Sequence, residues 1–403
     1  MKKKVLIIII SLLIILLLTF IILKLTVFKK VTTVINLAEN RIFEVYDEVY
    51  LLDTINIVDG KIIDTNYLLD TNEIGDKQIT INYKDSNGWK KKYTYNYSVV
   101  DSTKPMVSIS KNIYFNIESK KELKDYIAFA GDNYDRELQY DIEGNYDLNT
   151  IGDYDIKVCV KDKSKNMVEK DVKLHVYKPI KSNNNNIIKN KNVDNGIDIN
   201  YFIKNYKNDN NEIGLDLSVY QDVYDFNLIR ESGIDFVVLR LGFGPNEDYT
   251  FNTDSKFEEF YDNAKKAGLK VGVYYFSYAT TLDEVDLEVN YVDTMLKDKQ
   301  IDLFVSYDWE NWELFKDCKM NFQDVNLMAK KFMDLLKEKG YKVANYGSKY
   351  YLENVFNLDG YDTWLAQYYD EATYTKDFVM WQISDRGKVN GINNLVDVDI
   401  LKK

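Results

Sequence analysis

From residue 213 onward, short apolar runs alternate with segments of helical period, and this alternation constrains the fold more than any other feature. "IGLDLS" (213–218) reads as a buried strand, and "DVYDFNLIRESG" (222–233) as an amphipathic helix ending at Gly233. The pattern repeats through "DFVVLRLGFG", then "DSKFEEFYDNAKKAG" closed by Gly268, then "KVGVYYFSYA" and the helical "TLDEVDLEVNYVDTMLKD". "IDLFVSYDWEN" is the fourth strand, followed by a long helix at 321–339 with Gly340 beyond it. "YKVANYG" and a short helix come next, and "DTWLAQY", "FVMWQIS" and "LVDVDI" close the chain with little room for helices between them. Such alternation implies a parallel sheet with crossover helices. Eight strands in this length fit a compact α/β barrel (β/α units) lacking its last helices, with an open doubly wound sheet as the alternative. No G-x-G-x-x-G follows the first strand and no G-x-x-x-x-G-K-[ST] occurs, so a nucleotide fold has no support.

In β/α barrels chemistry sits at the C-terminal ends of strands. Acids end these strands repeatedly: Asp216 the first, Asp308 and Glu310 the fourth, Asp397 and Asp399 the last. Alternate residues of a strand share a face, so Asp308 and Glu310 point one way and Trp309 the other. The same D-x-E spacing occurs at Asp135–Glu137, Asp141–Glu143 and Asp286–Glu288. The last pair falls in a helix, where i and i+2 do not face each other. The other two lie in polar stretches, and all three are expected to be solvated acids. Tryptophans 309, 312, 364 and 381 fall in this C-terminal part, and Tyr274, Tyr346 and Trp364 lie on strands. Singly, each aromatic reads as core. Concentrated beside carboxylates, they suit sugar rings, which offer apolar C–H faces and hydroxyl rims. Tyr274, Tyr346, Trp364, Gln367 and Trp381 are the candidate substrate contacts.

Composition narrows the chemistry. The net charge of −12 argues against nucleic acid, which needs a basic face. One histidine and two cysteines exclude multi-histidine and cysteine-rich metal sites. No metal or cofactor is expected. His175, in the alternating "VKLHVY", reads as structural, and Cys159 and Cys318 fall too far apart for a disulfide framework.

The 403 residues exceed one typical domain. Val5–Leu23 is an uncharged run of 19 residues behind "MKKK", long enough to span a hydrocarbon core as a helix. Its length and the lack of a small-x-small site favour an uncleaved signal anchor over a cleaved leader. We expect a single-pass membrane protein, contacting the bilayer through residues 5–23, with its C-terminal domains extracellular; secretion after cleavage is the alternative. Residues 69–101 and 146–178 repeat at an offset of 77: Asp70, Asn72, Ile74, Gly75 and Asp76 match Asp147, Asn149, Ile151, Gly152 and Asp153. Alternating stretches joined by "SNG" and "KSKN" turns predict two small β-sandwich domains. They resemble the Ig-like modules of bacterial surface proteins, and are expected to act as spacers or, alternatively, to bind the wall. The asparagine-rich 179–211 reads as a flexible linker. The expected divisions are 1–30 (cytoplasmic tip and anchor), 31–101 and 102–178 (repeats), 179–211 (linker) and 212–403 (barrel).

At this point the motifs are recognisable. "GLDLS", "SGIDFVVLRLGFG", "AGLKVGVYYFSYA", "YDWEN", "WLAQY", "WQIS" and "VDVD", in this order, resemble the glycoside hydrolase family 25 muramidases, the cellosyl and phage-lysin type of lysozyme. The resemblance implies hydrolysis of the β-1,4 bond between N-acetylmuramic acid and N-acetylglucosamine in peptidoglycan. It gives Glu310 the general acid/base role and makes Asp308 its partner, with Asp216 and Asp397 completing the cluster. Both direct double displacement and a substrate-assisted route fit that pair. Two positions depart from the family pattern: its last motif often reads D-x-N where this chain has Asp399, and "NYG" (345–347) replaces the commoner tyrosine–threonine or tyrosine–serine pair. A catalytically inactive glycan-binding barrel in a surface complex, or a glycosidase for another wall polysaccharide, are the competing expectations.

Overall fold

The computed structural model describes residues 2–26, 34–38, 41–58, 60–179, 196–246 and 248–403. The chain divides into two compact units, Met1–Ser102 and Thr103–Lys403. In the first, a helix runs over Lys2–Thr26. Its side chains are described over residues 9–23, all of them exposed. Among the described residues no helix is long and apolar enough to cross a membrane.

The rest of this unit is β-structure. One sheet has the order Ile42–Glu44, Lys90–Val100, Gly75–Asp85, Gly60–Ile62, parallel at the first pairing and antiparallel at the other two. Val34–Leu37 and Ile55–Val58 form a separate antiparallel pair. Strand alternation turns Ile81, Tyr95, Tyr97 and Val99 inward, where they are buried.

The second unit begins with a β-module of the same internal order. Asn112–Asn116 runs parallel to Met167–Tyr177, which pairs with Gly152–Lys161, which pairs with Gln139–Glu143. Met106–Ile109 and Ile127–Gly131 form the separate pair. The 77-residue repeat is therefore a repeat of topology as well as of sequence. His175 lies 2.7 Å from Asp153 and stacks on Tyr114 at 4.8 Å. Both cysteines are free. One expectation fails here. Asp135 is not a solvated acid: it is 6% exposed and accepts the Lys163 backbone N–H at 2.7 Å. Asp141 and Glu143 are exposed, on an outer strand.

Residues 196–211, expected as linker, belong instead to the barrel. Ile197–Asp198 pairs with Gly387–Lys388, and helix α1 (Ile199–Tyr206) follows, with Ile199 and Phe202 buried. Its apolar residues 199, 202, 203 and 206 recur at helical spacing, but the surrounding asparagines mask the stripe. The other part of the expected linker, 180–195, lies outside the described residues.

The barrel strands are β1 (Asn211–Leu217), β2 (Phe236–Gly244), β3 (Lys270–Ser277), β4 (Val305–Asp308), β5 (Val343–Ser348), β6 (Asp362–Ala366), β7 (Met380–Lys388) and β8 (Val396–Lys402). Strands β1 to β7 are parallel in sequence order, and β8 closes the ring by pairing with both β7 and β1. Those two pairings are antiparallel, a departure from the expected all-parallel sheet. Only residues 389–395 connect β7 to β8, too few for a crossover helix. The helices are α2 (Phe226–Glu231), α3 (Phe257–Lys266), α4 (Leu282–Leu296), α5 (Trp312–Asp317), α6 (Phe322–Glu338) and α7 (Lys349–Asn354). Among the described residues none follows β6, β7 or β8.

Local signals explain the helix ends. Thr281 and Asn321 form capping boxes with Glu284 and Asp324 at the starts of α4 and α6. Gly268 and Gly340, just past α3 and α6, hold φ of +74° and +95°, which a side chain would resist. Facing the sheet, α6 buries Phe332, Met333 and Leu336. Each such burial stabilises by roughly 1.5–3 kcal/mol before ordering costs. Strand alternation then builds two layers. Val237, Leu239, Val271, Val273, Val305 and Tyr307 face the helices, while Phe236, Val238, Phe304, Ala344, Trp364 and Met380 fill the ring.

Candidate active site

The inward-facing residues nearest the C-terminal ends of the parallel strands are mostly polar, and they surround a cavity of about 250 Å³. Asp216, Asp308, Glu310, Asp397, Tyr274, Tyr346 and Trp364 all line it. Gln367 and Trp381, expected with them, do not. Trp381 sits one residue from the inward Gln382, so the pleat turns it outward. It packs against Tyr206 of α1, and its Nε1 donates to the Gln367 carbonyl at 2.7 Å. The Gln367 side chain bonds Thr373 at both of its ends, at 2.6 and 2.9 Å, and ties its own loop.

Asp308 ends β4 and is buried, and its Oδ1 has no partner among the described residues. Glu310 opens to solvent at the mouth. Between them Trp309 points outward, its Nε1 donating to the Ala279 carbonyl at 3.0 Å. Across the cavity Asp216 and Asp397 are register partners on antiparallel β1 and β8. Gln382 donates to Asp216 Oδ2 at 2.7 Å, and its own Oε1 accepts the hydroxyls of Tyr346 and Tyr368 at 3.0 and 2.8 Å. Beneath them the Trp364 Nε1 donates to Asp399 Oδ1 at 2.8 Å. Trp364 is only 2% exposed, so it forms the floor and orients Asp399 rather than offering a free platform.

Five carboxyls in so small a volume oppose one another's ionisation. Asp216 is raised well above the ordinary range by burial and then by the charges of Asp397 and Asp399, with the Gln382 bond opposing. Burial and the Glu310 charge raise Asp308, offset in part by Arg240. Burial raises Asp399. Desolvation raises Glu310 even at the mouth, because protein walls its other sides. Asp397 is pushed up to about 6 by burial and then by Asp385. The coupled carboxyls therefore share protons up to a higher pH than isolated acids would, the direction a site needing a carboxylic acid requires. Among the described residues no three of these acids bring ligand atoms within 4.8 Å of one another, so they form no ready cation cage.

Sequence reasoning missed Arg240, Gln382, Tyr220 and Tyr368. Asp254, itself buried, holds Arg240 with contacts of 2.8 Å to Nε and Nη2, and the guanidinium lies 5.0 Å from the Tyr220 ring centre. Tyr220 is 73% exposed and Tyr368 50%, both at the cleft's rim. They sit just beyond "GLDLS" and at the end of "WLAQY", on loops leaving the barrel's functional face, so position was the available signal.

Behind this layer lies a second buried acid. Glu288 of α4 was expected in solvent and is 0% exposed. Its Oε1 accepts the Ser277 hydroxyl at 2.7 Å and the Ala279 backbone N–H at 3.3 Å. Residues two apart on a helix diverge, so Asp286 instead reaches solvent and pairs with Lys331 at 2.8 Å.

Residues 215–392 match the family model of glycosyl hydrolases family 25. An autolytic lysozyme of Clostridium acetobutylicum is 29% identical over 189 residues, which are 46% of this chain and 54% of that protein. The chain thus spans about half the length of that curated relative. The modular autolysin LytC of Streptococcus pneumoniae, solved in complex with a synthetic peptidoglycan ligand, is 22% identical with a TM-score of 0.41, covering 48% of this chain and 47% of that one. A family 25 glycosyl hydrolase of Bacillus anthracis is 20% identical with a TM-score of 0.41, covering 49% and 91%.

Proposed function

We propose that the barrel is a muramidase, hydrolysing the β-1,4 bond between N-acetylmuramic acid and N-acetylglucosamine in peptidoglycan. The observation that carries this reading is the pairing of Asp308 with Glu310 on one wall of a cavity that also holds Asp216 and Asp397. The likeness of residues 215–392 to family 25 supports it. Protonated Glu310 gives its proton to the glycosidic oxygen as the C–O bond breaks. The coupled pair shares its protons, and in the form that reacts the proton sits on Glu310 while Asp308 is the carboxylate, which stabilises the positive charge that develops at the anomeric carbon. Water then adds to that carbon and returns a proton to Glu310. Gln382, held by two tyrosine hydroxyls, keeps Asp216 oriented across the cleft. Tyr220 and Tyr368 offer exposed ring faces to sugar units at the rim.

Around the barrel we place the two β-repeats as Ig-like modules and the Lys2–Thr26 helix as a membrane anchor, with the domains beyond it outside the cell. The uncharged run at residues 5–23 supports the anchor; the side chains described within it, residues 9–23, are fewer than the roughly 17–25 a span needs, which is why the described residues alone contain none. Alkaline carbonate washing should leave the chain with the membranes, and release into the wash would contradict it. For the enzyme, the full chain is incubated with purified peptidoglycan and new reducing ends are measured. Release supports the muramidase; glycan bound without release favours the inactive binding barrel.

A further inference from the structure

The muramidase reading makes no use of the β-module of the second unit, yet the module's strand Ile127–Gly131 lies against the segment that bears Glu310. Phe129, 6% exposed, belongs to the barrel's outer core rather than to the module's own. Its ring lies 4.6 Å from Trp312, 5.3 Å from Phe315, 6.0 Å from Tyr351 and 6.1 Å from Phe322. Trp312 is two residues beyond Glu310, and its backbone N–H donates to the Glu310 carbonyl at 3.0 Å. Its indole is clamped between Phe129 and Tyr351, stacked on the latter at 4.1 Å, and meets Trp309 edge-on at 5.1 Å. The acid is therefore flanked by two anchored tryptophans, and the outer side of one rests on the module.

The fit is close and polar at its rim. A Cβ on Gly131 would fall 2.5 Å from the Phe322 ring and 3.0 Å from that of Phe315. The Phe322 backbone N–H donates to the Asp132 carbonyl at 2.8 Å, and Asn321 Nδ2 donates to the Tyr134 carbonyl at 2.8 Å. Arg136 forks onto Asp324, and Lys319 meets Glu137 at 2.6 Å. A free spacer would have no such lock-in at residues 312–324.

We propose that this module is a buttress for the acid-bearing segment, with Phe129 as a positioning residue for Glu310. The inference rests on the muramidase reading for its catalytic consequence and on packing for its physical one, so two readouts test it in the full chain. With purified peptidoglycan, Phe129→Ala should lower kcat about tenfold with KM within about twofold, and Phe129→Leu should restore most of the loss. Amides of residues 311–316 should exchange with deuterium faster in Phe129→Ala. Gly131→Val, whose added atoms collide with Phe322, should reproduce both effects. If Phe129→Ala does not fold, Phe129→Leu and Gly131→Val decide by the same readouts, each falling below wild type in kcat with faster exchange. Wild-type kcat and exchange in the folded variants would overturn the proposal, as would KM and kcat changing in proportion. If the wild-type chain itself releases no reducing ends, the muramidase reading fails, while exchange at 311–316 still decides the buttress.

Discussion

Asp308–Glu310 and Asp286–Glu288 share a spacing, and each buries a carboxylate, Asp308 within the ring and Glu288 between α4 and the sheet, yet only one pair belongs to a site. On a strand the two acids share a face, and both line the cavity. On α4 they diverge, and Glu288 alone goes inward, sealed beneath Ser277 and Ala279. Burial raises both inward acids well above the ordinary range. The difference is access. Asp308 faces a cleft with Glu310 at its mouth, whereas Glu288 is closed off among Tyr275, Tyr307 and the end of β3. A raised carboxyl is therefore not by itself a catalytic one; it must face a space that substrate can enter.

Each variant below breaks or sharpens that contrast. Glu310→Gln removes the proton donor and should lower kcat by about 10³-fold, within the 10²–10⁴ range of general acid–base catalysis, with its melting curve unchanged. Asp308→Asn removes the carboxyl that shares protons with Glu310 and stabilises the developing charge, and should cost about 10²-fold in kcat. Gln382→Leu strands Asp216 and two tyrosine hydroxyls, so kcat should fall about tenfold and stability by roughly 1–3 kcal/mol, read by denaturant unfolding. Trp381→Phe, outside the cleft, should leave KM for purified peptidoglycan within about twofold, read by release of reducing ends.

Glu288→Gln should have the smallest effect on activity and a distinctive one on stability. The folded-state value of Glu288 is raised, so the folded chain binds this proton more tightly than the unfolded chain does. That contribution is complete below the ordinary glutamate value and is lost as pH rises toward the folded value, by about 1.4 kcal/mol per unit of separation. Wild-type stability should fall over that window, and the Glu288→Gln curve should be flatter. Parallel curves would mean that Glu288 is not held neutral.

Much of this was legible because it is local. The eight strands, the glycines beyond α3 and α6, and the opposed faces of Asp308 and Trp309 all follow from period and position. What escaped depends on partners distant in sequence. The α1 stripe hides among asparagines, and contacts with the distant β7, through Trp381 and through the pairing of Ile197–Asp198 just before the helix, show where it belongs. Gln382 means little alone; its role comes from Tyr346, Tyr368 and Asp216. Trp381 misled because an aromatic count does not say which side of the sheet a ring occupies. The seating of Phe129 among four barrel rings has no counterpart in any short motif.

The contrast between the two pairs is tested most directly by assaying Glu310→Gln and Glu288→Gln side by side on purified peptidoglycan, each with a melting curve. The account predicts a folded Glu310→Gln that releases almost no reducing ends and a Glu288→Gln with wild-type kcat. A folded Glu288→Gln as impaired as Glu310→Gln, or an active Glu310→Gln, would contradict it.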